Sequence, residues 1–257
     1  MAAKSNKRKA IELQLLADIP VKVGKEDFSS PTLKSVVGMG ENKFLKLAGV
    51  VFQDYNQVRD KLIETSHDDE TKKMFKDMTE GDVVCLLSLQ DEGFRNSWEG
   101  YLSMSLRSEV LFETSTMNFY SNQSHSLLTI EELNELIYIG RVASGLTQKD
   151  LQELNEQRKP ANKKAQQLME KLERNKRRVQ KYKKVETLYS LILGVSEYAN
   201  SINLLNVWDL TYYQFQELVK QTRYREHYDE YTKIMTSGNF DTSKMKTPLH
   251  WSIDQNI

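Results

Sequence analysis

The chain has 257 residues, with 36 basic and 36 acidic side chains and a formal net charge of zero. That length allows one large domain or two modest ones with a real core, and the balanced charge excludes bulk electrostatic attraction to nucleic acid or membrane. Eleven glycines and four prolines are about half the usual share of chain breakers, which points to helices, and the single cysteine, Cys85, excludes an internal disulfide framework or a cysteine-based zinc site.

Residues 1–10 are polar and basic and read as a frayed, flexible end. The apolar stretch after them is broken by Glu12, Gln14 and Asp18, which argues against a signal peptide. No run approaches the ~18 apolar residues of a membrane span. The expectation is a soluble protein with no membrane contact, made in a reducing compartment. "IPVKVGKEDFSSPTL" is rich in β-branched residues and reads as extended. "SSPTLKSVVGMGENKFLKLAGVVF" then reads as two helices. Ser30 is placed to cap the first, with Pro31 at its first position, and Gly38 and Gly40 to break it. The second starts near Glu41 and sets Phe44, Leu47, Ala48 and Val51 on one face. Helical patterns continue over Asn56–Glu64 and Asp69–Met78.

"DVVCLLSL", Asp82 to Leu89, suits a buried strand or a buried helix. The following Phe94, Trp98, Tyr101, Leu102 and Leu106 recur at helical spacing, which favours two helices. Glu109 to Ser121 alternates around a polar middle, the pattern of a short β-hairpin at about residues 109–121. Three helix starts then share one device. Thr129 with Glu132 and Thr211 with Gln214 form capping boxes, and Thr147 with Asp150 a weaker one. The pairs Leu128–Leu133, Leu146–Leu151 and Leu210–Phe215 serve as staples. The first start predicts a helix over about 130–143. The last predicts one over about 212–235, with Phe215, Leu218, Val219, Tyr224, Tyr228, Tyr231 and Met235 as its apolar stripe.

Between them the periodicity predicts one helix over about 161–200, about 60 Å long. Its first half is polar with a narrow apolar seam, and its second half is almost wholly apolar and must be buried. Residues 158–184 hold twelve Lys or Arg against two Glu. A chain of zero net charge is thus sorted into a basic helix and an acidic body. A solvated face and a protein-binding face suit this stretch equally. Nucleic acid ranks behind, because only Tyr182 interrupts the run as a stacking surface.

No short motif assembles a catalytic or metal site. His67, His125, His227 and His250 have no ligand spacing. No phosphate loop, dinucleotide fingerprint or nucleophile elbow is present. Cys85 sits in an apolar run and reads as a buried structural thiol. In "NVWDLTYYQF" the cap and staple account for Leu210, Thr211, Gln214 and Phe215. Trp208, Tyr212 and Tyr213 remain as core residues at a helix start or, alternatively, as a docking surface.

The order of features resembles the tail assembly chaperones of tailed bacteriophages that infect Gram-positive hosts. "SSPTLKSVVGMGENKF" is similar to their Pro-Thr-Leu, then Gly-Glu-x-x-Phe pattern. "GDVVCLLSLQDEGFRNSWEGYLSMSLRSEVLF" is similar to their apolar helix, amphipathic helix and short strand. "SINLLNVWDLTYYQF" resembles their Asn, then Trp-Asp-Leu-Thr-x-x-Gln-Phe/Leu motif, and "PLHWSIDQNI" their terminal His-Trp sequence. The resemblance covers roughly residues 18–257 and its motifs are short and not catalytic. The basic helix is longer and more charged than the resemblance requires. It implies a non-enzymatic protein without a cofactor. Such a protein binds the tape-measure protein in the host cytoplasm, brings tail-tube subunits to it, self-associates, and is absent from the finished virion. A frameshifted longer form is also a property of that family.

Together these readings predict a mainly α protein in three parts. Residues 1–10 form a flexible end. Residues 11–157 form a helical domain with one short hairpin. Residues 158–257 form a long basic helix leading into a C-terminal helical region. The candidate partner-binding residues are Lys163, Lys164, Leu168, Leu172, Arg174, Arg177 and Arg178 on the basic helix, then Trp208, Tyr212 and Tyr213. The alternatives are a nucleic-acid-binding or regulatory phage protein acting through residues 158–184, and a structural component of the virion.

Overall fold

Residues 2–10, read from the sequence as a flexible end, lie in a helix. In the computed structural model, which describes residues 2–145, 187–199 and 201–237, helix α1 spans Ala2–Leu16 and buries Ile11 and Leu15. The polar start was read without the apolar spacing of its far end, and that spacing docks the end of the helix. The extended segment is a two-stranded antiparallel hairpin, β1 (Val21–Val23) and β2 (Glu26–Phe28), with Val21 opposite Phe28. Gly24 takes φ +57 in its two-residue turn, a conformation that glycine adopts without steric cost.

Helix α2 (Leu33–Met39) is capped by Thr32, which accepts from the Ser35 amide at 3.2 Å. The sequence pointed to Ser30 for this role. Ser30 is instead buried and committed elsewhere, as described below. Gly40, at φ +93, separates α2 from α3 (Glu41–Ala48). A 3-10 turn over Gly49–Phe52 follows, then α4 (Tyr55–Thr65) and α5 (Asp69–Asp77). The ambiguous apolar run lies in helix α6 (Glu80–Gln90), started by a Thr79–Asp82 capping box. Asp91 ends α6 and caps α7 (Glu92–Leu106). Tyr55, Trp98 and Tyr101 form the centre of the core. The fully buried Trp98 indole donates to the Tyr55 hydroxyl at 3.1 Å, and its ring meets Tyr101 edge-on at 5.8 Å.

The predicted hairpin is present as β3 (Val110–Glu113) and β4 (Asn118–Ser121), with Phe112 and Phe119 paired across it. A third short strand, β5 (Ser126–Leu127), extends it. Helix α8 (Ile130–Ala143) starts at the expected Thr129–Glu132 capping box and buries Leu133, Leu136, Ile137 and Ile139. Gly140 lets it pass close to α7, since a Cβ there would run into the Tyr101 hydroxyl and Val51.

Two further helices complete the described chain, α9 (Leu188–Tyr198) and α10 (Tyr212–Thr236), joined through a 3-10 turn over Val207–Asp209. The predicted continuous helix over 161–200 is corrected here. Thr187 is extended (φ −98, ψ 156) and caps α9 through the Ser190 amide, so α9 is a separate start. Its apolar half is also not wholly buried. Leu188, Ile192 and Val195 enter the core, while Tyr189 is 72% exposed and Leu193 and Tyr198 also face outward. The basic stretch 158–184, the Thr147 cap and the boundary at 157/158 lie outside the described residues. The buried side chains of α9 and α10 join those of residues 11–143 in one hydrophobic cluster. The fold is mainly α with two small sheets.

Candidate functional site

The start of α10 is fixed by its own sequence and by a distant one. Thr211 accepts from the Gln214 amide at 3.2 Å, and the Gln214 side chain accepts from the Thr211 amide at 2.9 Å. That is the capping box read from the sequence. The Gln214 side chain also donates to the Leu16 carbonyl at the end of α1, at 2.8 Å. Thr32 and Thr211, the caps of α2 and α10, then pair in an antiparallel bridge. Leu33 N–H donates to the Leu210 carbonyl at 2.9 Å and Tyr212 N–H to the Pro31 carbonyl at 2.7 Å. Tyr213 N–H donates to the Ser30 hydroxyl at 3.2 Å, 183 positions away. The first three amides of α10, which a helix leaves without internal partners, are thereby all satisfied.

This stitching decides the fate of the aromatic cluster. Phe215 and Tyr213 are core residues. Burial, reinforced by Glu217 and Glu12, pushes the Tyr213 hydroxyl well above the ordinary tyrosine range. Tyr213 therefore presents no docking surface. Tyr212 is half-buried and meets Phe44 edge-on at 4.7 Å. Its hydroxyl is also pushed up, mainly by burial. Trp208 is half-buried against the core, and its indole N–H donates to the Leu204 carbonyl at 2.7 Å. Beside it Leu205 is 88% exposed and Leu204 is also exposed. Of the three aromatic candidates, Trp208 and Tyr212 keep accessible surface.

A groove of about 530 Å³ runs between α10 and the α2–α3 pair, closed at one end by the start of α9. Val36, Phe44, Leu191, Phe215 and Val219 form its apolar walls, and Glu217, Lys220 and Arg223 stand on its α10 side. Glu41 lines the opposite side and accepts from the Leu188 amide at 3.1 Å, which fixes where α9 begins. No local pattern announces this groove. Its walls come from segments more than 140 residues apart, and each wall residue looks locally like ordinary helix core.

The basic-face candidates Lys163, Lys164, Leu168, Leu172, Arg174, Arg177 and Arg178 lie outside the described residues. Cys85 is buried, with its thiol toward the Asn118 side-chain oxygen at 3.8 Å. Burial, with a lesser contribution from Asp82, pushes it up to about 12, so at neutral pH it is a thiol and a poor nucleophile. His227 is exposed on α10. Among the described residues no group of three or more His, Cys, Asp or Glu is arranged to hold a metal ion, and no helix is long and apolar enough to cross a membrane.

Residues 180–255 match the family model described as the YomV second domain. The matched stretch contains α9, the 3-10 turn and α10, and with them the aromatic cluster and one wall of the groove. No curated protein and no solved structure matches the chain.

Proposed function

We propose that this chain is a phage tail assembly chaperone, a non-enzymatic protein that binds the tape-measure protein and recruits tail-tube subunits in the host cytoplasm. The match over residues 180–255 suggests a phage-associated protein, and the chaperone role is the finer reading. The observation that carries it is a coincidence of position. The Asn, then Trp-Asp-Leu-Thr-x-x-Gln-Phe stretch that resembles the chaperone family, Asn206 to Phe215, falls inside the matched stretch. Thr211 and Gln214 are used for structure: they cap α10 and tie it to α1. The stretch leaves Trp208 half-buried beside the exposed Leu204 and Leu205, with Asn206 and Asp209 also at the surface. Exposed aliphatic and indole surface on a rigid support suits reversible contact with another protein's apolar helices. In this reading Trp208, Tyr212 and the seam and basic face of 163–178 contact the partner. Co-expression with a tape-measure protein tests it. The tape-measure protein is expected to stay soluble with this chain and to precipitate without it. Equal solubility in both cases defeats the reading. The chain is also expected to be missing from purified particles by mass spectrometry, which separates a chaperone from a virion component.

A second reading rests on the twelve cations of residues 158–184, which suit phosphate contacts. It predicts binding to DNA or RNA whose logarithm falls steeply with the logarithm of salt, with a slope of several units. Binding that is undetectable, or flat with salt, removes it.

A further inference from the structure

We infer that the Leu204–Leu205 tip of one copy seats in the groove between α10 and the α2–α3 pair of a second copy, a head-to-tail contact that links chains in series. The contact is independent of the chaperone reading. Residues 201–208, between α9 and α10, form a loop whose asparagine side chains bind its own backbone. The Asn203 side-chain oxygen accepts from the Leu205 amide at 2.8 Å, and that of Asn206 accepts from the Asn203 amide at 2.8 Å. The Asn206 side chain also donates to the Ser201 carbonyl at 3.0 Å, and the Trp208 indole to the Leu204 carbonyl at 2.7 Å. Val207 is fully buried and roots the loop in the core. Out of this firm frame stand Leu204, 49% exposed, and Leu205, 88% exposed. Two leucines held in water by a hydrogen-bonded loop form an apolar knob of the kind that marks a contact with another protein.

The same chain carries the complement. The groove has apolar walls and is open at the surface, where Leu45 on its α3 side is 48% exposed. Among the described residues that line it, none belongs to the loop, and the bonds that fix the loop also fix its leucines away from their own groove. The charges agree. Asp209 is the only charged residue from Tyr198 to Gln216, so the knob side is acidic. Glu217, Lys220 and Arg223 give the α10 rim of the groove one net positive charge.

Knob and groove are different surfaces, so a contact between two copies leaves one free knob and one free groove at its ends. The contact is therefore heterologous and continues copy by copy. It is also small. Two leucines and the exposed part of an indole fall short of the about 800 Å² that each partner buries in a stable interface, which makes the association weak and reversible. Copies joined in this way keep their leucines covered until another apolar partner takes them.

Sedimentation of the full-length chain tests this. The wild type is expected to gain mass steadily with concentration and to pass two chains per particle. Leu205→Lys removes the knob and Leu45→Lys the groove, and each variant alone is expected to stay a single chain at the same concentration. Mixed in equal amounts, the two are expected to form pairs and nothing larger, because one intact knob and one intact groove remain between them. Leu205 is so exposed that its substitution leaves the fold alone. Tyr224→Lys, also on the groove wall, replaces Leu45→Lys should circular dichroism show that variant unfolded. A wild type that remains a single chain at millimolar concentration overturns the inference. So does growth that stops at two chains, association of Leu205→Lys equal to that of the wild type, or a mixture that fails to pair.

Discussion

Tyr55, Tyr101, Tyr213 and Cys85 share one electrostatic situation. Each is a neutral acid whose charged form burial disfavours, and each is pushed above its ordinary value. The consequence has a definite sign. A group whose value is raised on folding stabilises the fold fully at pH values below its unfolded value. That stabilisation is lost as the pH rises toward the folded value. For Cys85 the window runs from 9.0 to about 12, and the tyrosines begin to contribute near 10.0. The urea midpoint is therefore expected to be flat up to about pH 8 and to fall steadily above about pH 9. Cys85→Ala should delay the onset of that fall. A midpoint that stays constant to about pH 11 contradicts the burial of these groups. At this scale the sequence was a good guide at two caps whose partners stand three residues apart, Thr129–Glu132 and Thr211–Gln214. It failed at Ser30, whose hydroxyl serves Tyr213 across 183 positions. Nothing local distinguishes that serine from a helix cap.

Between elements, one side chain ties three together. Arg141 on α8 donates to the Val51 carbonyl at 2.9 Å and the Gln53 carbonyl at 3.0 Å, at the end of the first 3-10 turn. It also donates to the Glu80 carboxylate at the start of α6, at 2.7 Å. The pair is largely shielded, with side-chain exposures of 12% and 23%. Removing the guanidinium leaves a carboxylate and two carbonyls without their donor. Arg141→Met is therefore expected to cost about 2–4 kcal/mol in chemical denaturation. Glu80→Gln should cost less, because an uncharged amide still accepts from the arginine. A loss below about 0.5 kcal/mol for Arg141→Met marks the contact as an ordinary surface ion pair. Element type was readable from period alone over α7 and from period and cap together over α8 and α10. The run of α6 was undecidable by period alone, because it is apolar on every side, and its Thr79–Asp82 box was the overlooked signal. The error over α9 had a different cause. Apolar periodicity runs through Thr187 without interruption, and only a backbone turned extended at that residue shows that α9 starts there.

The molecule as a whole has one core. Leu188, Ile192, Val195, Val207, Tyr213 and Phe215 are buried in the same cluster as the side chains of α1 to α8. At about 1.5–3 kcal/mol for each large apolar side chain, exposing these six costs roughly 10 kcal/mol. That equals the whole stability of an ordinary domain. A fragment of residues 180–257 is accordingly expected to show no cooperative unfolding transition by itself, although it contains the matched stretch. Circular dichroism against temperature checks this, and a sharp transition in the isolated fragment refutes it. The bridge between Thr32 and Thr211 also sets an order in time. During synthesis the segment around Thr32 is made long before the segment around Thr211 that completes the bridge. Ser30, Pro31 and Leu33 must wait, with the α2 end of the core uncovered, until α10 leaves the ribosome. Contacts of such long sequence separation form slowly, and a nascent chain with apolar surface exposed is vulnerable to aggregation. This protein should therefore close its core only after α10 has been made, and chains released before it should be cleared rather than accumulate.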